Sequence, residues 1–135
     1  MQLFVYGTLT DPAQIEAIVD AGPGTFEFVG PTTLEGFRRV DGRYPTLVPG
    51  GSVEGRLLAV DKRALERLDR YEGVDQGLYV RIAVPKADGG QGWVYVGHPD
   101  RLGADADAAW PDERSFREAV ETAAARRDAV LRVHE

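Results

Sequence analysis

The chain has 135 residues, with 16 Lys and Arg against 22 Asp and Glu and a formal net charge of −6. That length suits a single domain, residues 1–135, with a core of its own, and the negative balance argues against nucleic acid as a partner. The absence of cysteine excludes disulfides, thiolate nucleophiles and thiolate metal sites, and two histidines, His98 and His134, are too few for a histidine-built metal site.

Leu3–Tyr6 is apolar and β-favouring and is predicted as the first strand, ending at Gly7. Met1-Gln2 leads straight into it without the basic, apolar and small-residue order of a signal peptide, so the expected location is the cytoplasm. Thr10 or Asp11 caps a short helix, with Pro12 in its first turn and Ile15, Ile18 and Val19 as its stripe; Gly22-Pro23-Gly24 ends it. Thr25–Val29 and Thr33–Val40 alternate as two strands. Asp41-Gly42 is a turn, Tyr44–Pro49 is extended with prolines near both ends, and Val53–Val60 is a further strand. Asp61 caps a helix running to about Glu72, closed by Gly73. Leu78–Val84 and Trp93–Val96 are strands joined by a hairpin loop at Lys86–Gln91. In the tail, Ser115 and Glu118 match a capping box, and Phe116, Ala119, Val120, Ala123, Arg127, Val130 and Leu131 share one helical period.

Most strands are joined by short loops, so the expected fold is α+β: a mostly antiparallel, β-barrel-like sheet with a few flanking helices. No run approaches the ~18 apolar residues of a membrane span, and no membrane partner is expected. Lysine occurs only as Lys62 and Lys86. That balance fits either a high-salt cytoplasm, where carboxylates keep a surface hydrated, or a GC-rich genome that favours Arg.

Two short stretches carry potential chemistry. In Leu65–Gly73, Leu65 and Leu68 define a buried helix face, and Glu72, seven and four residues on, falls on that same face. Either the helix frays first and Glu72 is solvated, or the carboxyl is buried and its pKa rises toward the ~6–7 that suits acid–base work near neutrality. Asp69 is expected to point away from Glu72, so no carboxylate pair is expected. The turn at Tyr6-Gly7-Thr8-Leu9 is either a plain connection or a cradle of backbone N–H groups for a carboxylate or developing oxyanion.

The motifs F-V-Y-G-T-L, Y-P-T-L-V-P followed by V-E-G-R-L, L-D-R-Y-E-G-V and L-Y-V-R-I-A-V occur in order between about Leu3 and Val96. In this the chain resembles the γ-glutamylcyclotransferase-like family, most closely its small-domain branch related to γ-glutamylamine cyclotransferase. The resemblance implies a small β-barrel with flanking helices. It also implies an intramolecular acyl transfer, in which the α-amine of a small γ-glutamyl substrate attacks its own γ-amide carbonyl. The products are 5-oxoproline and a free amine or amino acid, and no metal or organic cofactor is expected. It places the catalytic acid–base residue at Glu72 and the substrate-binding loop at Tyr6, Gly7, Thr8 and Leu9. Tyr95 matches a frequent pocket tyrosine, and Tyr79 and Arg81 match a Y-x-R strand pattern, with Arg81 a substrate-binding candidate.

An ordinary Glu facing an α-ammonium is mismatched by about 5 kcal/mol for proton transfer, and burial of Glu72 would shrink that deficit. Arg38, Arg39 and Arg43 are read as solvated surface, His98 as a turn residue and Trp110 as one anchoring aromatic in a surface loop. The alternative function is a non-catalytic small-molecule-binding or interaction module of the same fold. A third reading, attack by water, differs by releasing glutamate.

Overall fold

The computed structural model describes residues 1–7, 11–19, 25–40, 46–98, 110–111 and 113–134. Its elements run β1 (Gln2–Val5), α1 (Pro12–Val19), β2 (Phe26–Val40), β3 (Thr46–Val60), α2 (Lys62–Tyr71), β4 (Tyr79–Pro85), β5 (Gln91–Gly97), α3 (Phe116–Arg126) and β6 (Val130–Val133). The strands form one six-stranded sheet in the order β4-β5-β1-β3-β2-β6. All pairings are antiparallel except β1 with β5, which is parallel at Leu3–Trp93 and Phe4–Val94. The result is an α+β fold whose sheet curls into a half-barrel.

The curl comes from the long β2–β3 hairpin. The expected separate strands Thr25–Val29 and Thr33–Val40 are one 15-residue strand, and the described part of the second expected pair, from Thr46 to Val60, is likewise one continuous strand. Gly30-Pro31 and Pro49-Gly50-Gly51 look like breaks locally. In the sheet the first coincides with a register shift between Phe28 and Gly30, and a second shift falls between Glu35 and Phe37. Such bulges bend a strand and raise its twist without ending it. The bending brings the far edges together: Lys86, just past β4, bridges Leu131 of β6, and the Ala87 N–H donates to the Leu131 carbonyl at 2.9 Å.

Alternation along β1 divides the core between the two faces of the sheet. Phe4 and Tyr6 join Leu34, Phe37, Leu57, Ile82, Val94 and Leu131 on the face covered by Val120 and Ala123 of α3. Leu3 and Val5 join Leu58, Val60 and Tyr95 on the opposite face, covered by Ile15 of α1 and Ala64, Leu65 and Leu68 of α2. Among the described residues, no helix is long and apolar enough to cross a membrane.

The tail corrects one expectation. The Ser115 cap forms, accepting from the Glu118 N–H at 3.2 Å, but the helix stops at Arg126. Asp128 takes a left-handed conformation at φ 49°. Val130 and Leu131 leave the helical period to pair as strand β6 with Glu35 and Leu34 of β2. With β-branched Val130 and Val133 at its ends, this run is worth more as an edge of the sheet than as a fourth helical turn. Trp110 packs on Phe37 and Phe116, and the His98 ring lies 4.7 Å from Phe116.

Candidate active site

Helix α2 carries two of the acids. Asp61 caps it, accepting from the Ala64 N–H at 2.8 Å, and Leu65 and Leu68 dock it on the sheet. The helix direction continues through Glu72, which is the C-cap in helical conformation and donates its N–H to the Leu68 carbonyl at 2.9 Å. Gly73 then reverses the chain at φ 71°, where a Cβ would also meet Leu78 Cδ1 at 2.7 Å. Glu72 therefore does not fray into solvent. It is partly buried, and burial pushes its carboxyl up to about 7. The C-terminal end of a helix adds nothing favourable to a negative charge there.

Two buried tyrosines lie within reach of the charge of this carboxyl. Tyr6, directly after β1, is buried, and its hydroxyl donates to the Tyr95 carbonyl at 2.7 Å. Burial, then the side chains of Tyr79 and Glu72, raise the Tyr6 phenol well above its ordinary value. Burial and the neighbouring Asp69 raise the Tyr95 phenol, and the charge of Glu72 reaches it as well. Both phenols stay protonated across the physiological range. The Thr46 hydroxyl, at the start of β3, accepts from the Gly97 N–H at 2.7 Å and secures the same end of the sheet.

Asp69 is the residue that the sequence reading turned away. It lies three positions before Glu72, a spacing that makes two helical side chains neighbours. Its Oδ1 accepts from the Tyr95 hydroxyl at 2.6 Å and forms an ion pair with Arg81 Nε at 3.3 Å. The Arg81 guanidinium lies 4.3 Å from the centre of the Trp93 ring, and its Nη1 is buried without a hydrogen-bond partner. Arg39 was also read differently: it is exposed, yet its Nη1 donates to the Tyr6 carbonyl at 2.9 Å.

Of the residues singled out in the sequence, the fold gathers Tyr6, Glu72 and Tyr95, with Arg81 joined to them through Asp69. Gly7 follows Tyr6 at the end of β1, and Thr8, Leu9, Arg43 and Tyr44 lie outside the described residues. The i to i+3 spacing from Glu72 was the available signal for Asp69. For Arg39 the chain offered none, because its partner is a backbone carbonyl 33 residues away.

Residues 3–115 match a family profile described as "Gamma-glutamyl cyclotransferase, AIG2-like". AIG2-like protein A of Arabidopsis thaliana is 34% identical over an alignment covering 75% of this chain and 66% of that protein. A second relative from the same plant is 36% identical, and the chain spans 47% of its length. Among solved structures, a mouse AIG2-like protein is 27% identical with a TM-score of 0.60, the match covering 87% of this chain and 91% of that one. A solved gamma-glutamyl cyclotransferase, 16% identical, shares the fold at a TM-score of 0.59 over 94% of this chain and 79% of that one.

Proposed function

This chain belongs to the gamma-glutamyl cyclotransferase, AIG2-like family, and on that premise we propose that it converts a small γ-glutamyl amide into 5-oxoproline and a free amine or amino acid. Glu72 is the acid–base residue. The observation that carries the reading is its position in the L-D-R-Y-E-G motif, partly buried at the end of α2, with a carboxyl raised to about 7.

The chemistry then follows from proton accounting. Forming the lactam removes two protons from the substrate's α-ammonium, and the departing nitrogen takes up two and leaves as an ammonium. A carboxyl at about 7 facing an amine near ~8 relays them at a cost of about 1–2 kcal/mol, against about 5 kcal/mol for an ordinary Glu. The α-nitrogen attacks the γ-carbonyl carbon, the oxyanion collapses, and the amide C–N bond breaks. Folding the chain into a near-attack shape supplies much of the rate for so short a ring closure. In this reading the backbone of the Tyr6–Leu9 motif binds the substrate carboxylate or the oxyanion. Tyr95 and Arg81 belong to the substrate-binding end of the site.

The test is 5-oxoproline release from a panel of γ-glutamyl amino acids, γ-glutamyl amines, γ-glutamyl-ε-lysine and glutathione, with Glu72→Gln alongside. Release by the natural chain alone is expected, and the panel ranks the leaving groups. Equal release by the folded Glu72→Gln variant, release of glutamate instead, or no product from any compound overturns the reading.

A further inference from the structure

A tyrosine hydroxyl has one proton to donate and lone pairs with which to accept. In Tyr95 that proton is committed: it points at Asp69 Oδ1 over 2.6 Å, a charge-assisted bond of short length. Asp69 is itself held in place by an ion pair with Arg81, whose Nε lies 3.3 Å from the same oxygen while its guanidinium carbon lies 4.3 Å from the centre of the Trp93 ring. The backbone of Tyr95 is pinned as well, its carbonyl taking the Tyr6 hydroxyl at 2.7 Å. With the donor side occupied, the Tyr95 oxygen can offer its surroundings only lone pairs. The carboxyl that follows Asp69 by one helical turn is Glu72, so this acceptor stands beside the proposed acid–base group.

We infer that Asp69 and Arg81 are positioning residues that hold Tyr95 as a hydrogen-bond acceptor for the α-ammonium of the substrate. This rests on the cyclotransferase reading above and adds to it the part of the site that recognises the reacting nitrogen. A neutral acceptor is suited to that nitrogen in both of its states. It accepts from the ammonium on arrival and still accepts from the amine after a proton has moved to Glu72, so the lone pair that attacks is directed away from the phenol. A second carboxylate in the same place would instead hold the ammonium charged and oppose its deprotonation. Burial keeps the Tyr95 phenol protonated, so it does not become such a charge.

The experiment compares two ligands by calorimetry in the full chain carrying Glu72→Gln: γ-glutamyl-alanine, and glutaryl-alanine, which lacks only the α-amine. The γ-glutamyl compound is expected to bind at least about ten-fold more tightly, the scale of one hydrogen bond to a charged group. Adding Tyr95→Phe or Asp69→Ala should bring the ratio to within about two-fold while glutaryl-alanine binding holds. Asp69→Asn, which keeps an acceptor oxygen for Tyr95 and Arg81, should retain most of the preference. An unchanged ratio in Tyr95→Phe, an equal loss of both affinities, or no binding of either compound overturns the inference. Should the Glu72→Gln chain still release 5-oxoproline at the natural rate, the acid–base assignment fails separately, and the binding ratio still decides the role of Tyr95.

Discussion

The hydroxyl of Tyr6 donates to the carbonyl of Tyr95 at 2.7 Å, joining residues 89 apart in sequence. β1 and β5 pair through only two residues each, Leu3–Trp93 and Phe4–Val94. The tyrosine bond carries that contact one step past the ladder, to the end of the sheet where Glu72 stands. Both tyrosines are buried, so water cannot replace the bond at no cost.

Removing the donor alone tests this. Tyr6→Phe leaves the Tyr95 carbonyl without its partner and should cost about 1–3 kcal/mol in urea denaturation. A loss below about 0.5 kcal/mol would place the change among ordinary surface substitutions and refute a structural role for the bond.

The pH dependence of activity follows from the carboxyl of Glu72. A base whose pKa is raised to about 7 must lose its proton before it can accept one. The kcat/KM for a γ-glutamyl substrate should therefore climb with pH through about 7, as the carboxylate forms. An acid limb centred below pH 5, near the ordinary Glu range, would contradict a buried base.

Stability should move in the opposite direction. The folded chain holds the Glu72 proton more tightly than the unfolded chain, because burial raises the carboxyl from 4.5 to about 7. Between those values the folded state binds more protons, so stability is highest below about 4.5 and declines as pH rises to about 7. Between pH 5 and 8 the decline from this group is on the order of 2–3 kcal/mol and should vanish in Glu72→Gln. Parallel chemical denaturation of the two chains from pH 5 to 8 measures the difference; superimposable curves would rule it out.

Gly55, in the V-E-G-R-L motif, is required by space rather than by backbone conformation. A Cβ there would overlap the Val5 carbonyl oxygen and lie 2.9 Å from Phe4 Cζ, across the β3–β1 pair. Gly55→Ala should cost about 3 kcal/mol or more, since the obstacle is backbone and a buried ring. Gly77→Ala meets open space, strained only by its φ of 75°, and should cost about 1–2 kcal/mol. Thermal denaturation of both variants orders the two costs, and the reverse order would show that β1 and β3 can separate.

What the sequence determined by itself is what acts over a turn or two of chain. Leu65, Leu68 and the Asp61 cap specify α2, the alternation around Phe4 specifies β1, and the same periodicity aims Glu72 at the protein instead of at water. The α+β class followed from short connections between strands. Tertiary structure decided the rest, and in each case the deciding partner is distant in sequence. Gly30-Pro31 and Pro49-Gly50-Gly51 read as breaks because their local geometry is irregular, yet cross-strand pairing carries two 15-residue strands through them. Val130 and Leu131 fit a helical period, but the exposed edge of β2 at Leu34 and Glu35 recruited them as a strand. Asp69 was displaced from the reading by its neighbours on α2 and restored by Arg81 and Tyr95, which lie 12 and 26 residues further along. Periodicity records which way a side chain points along its own element. Which donor it meets there depends on strands that only long-range pairing brings alongside.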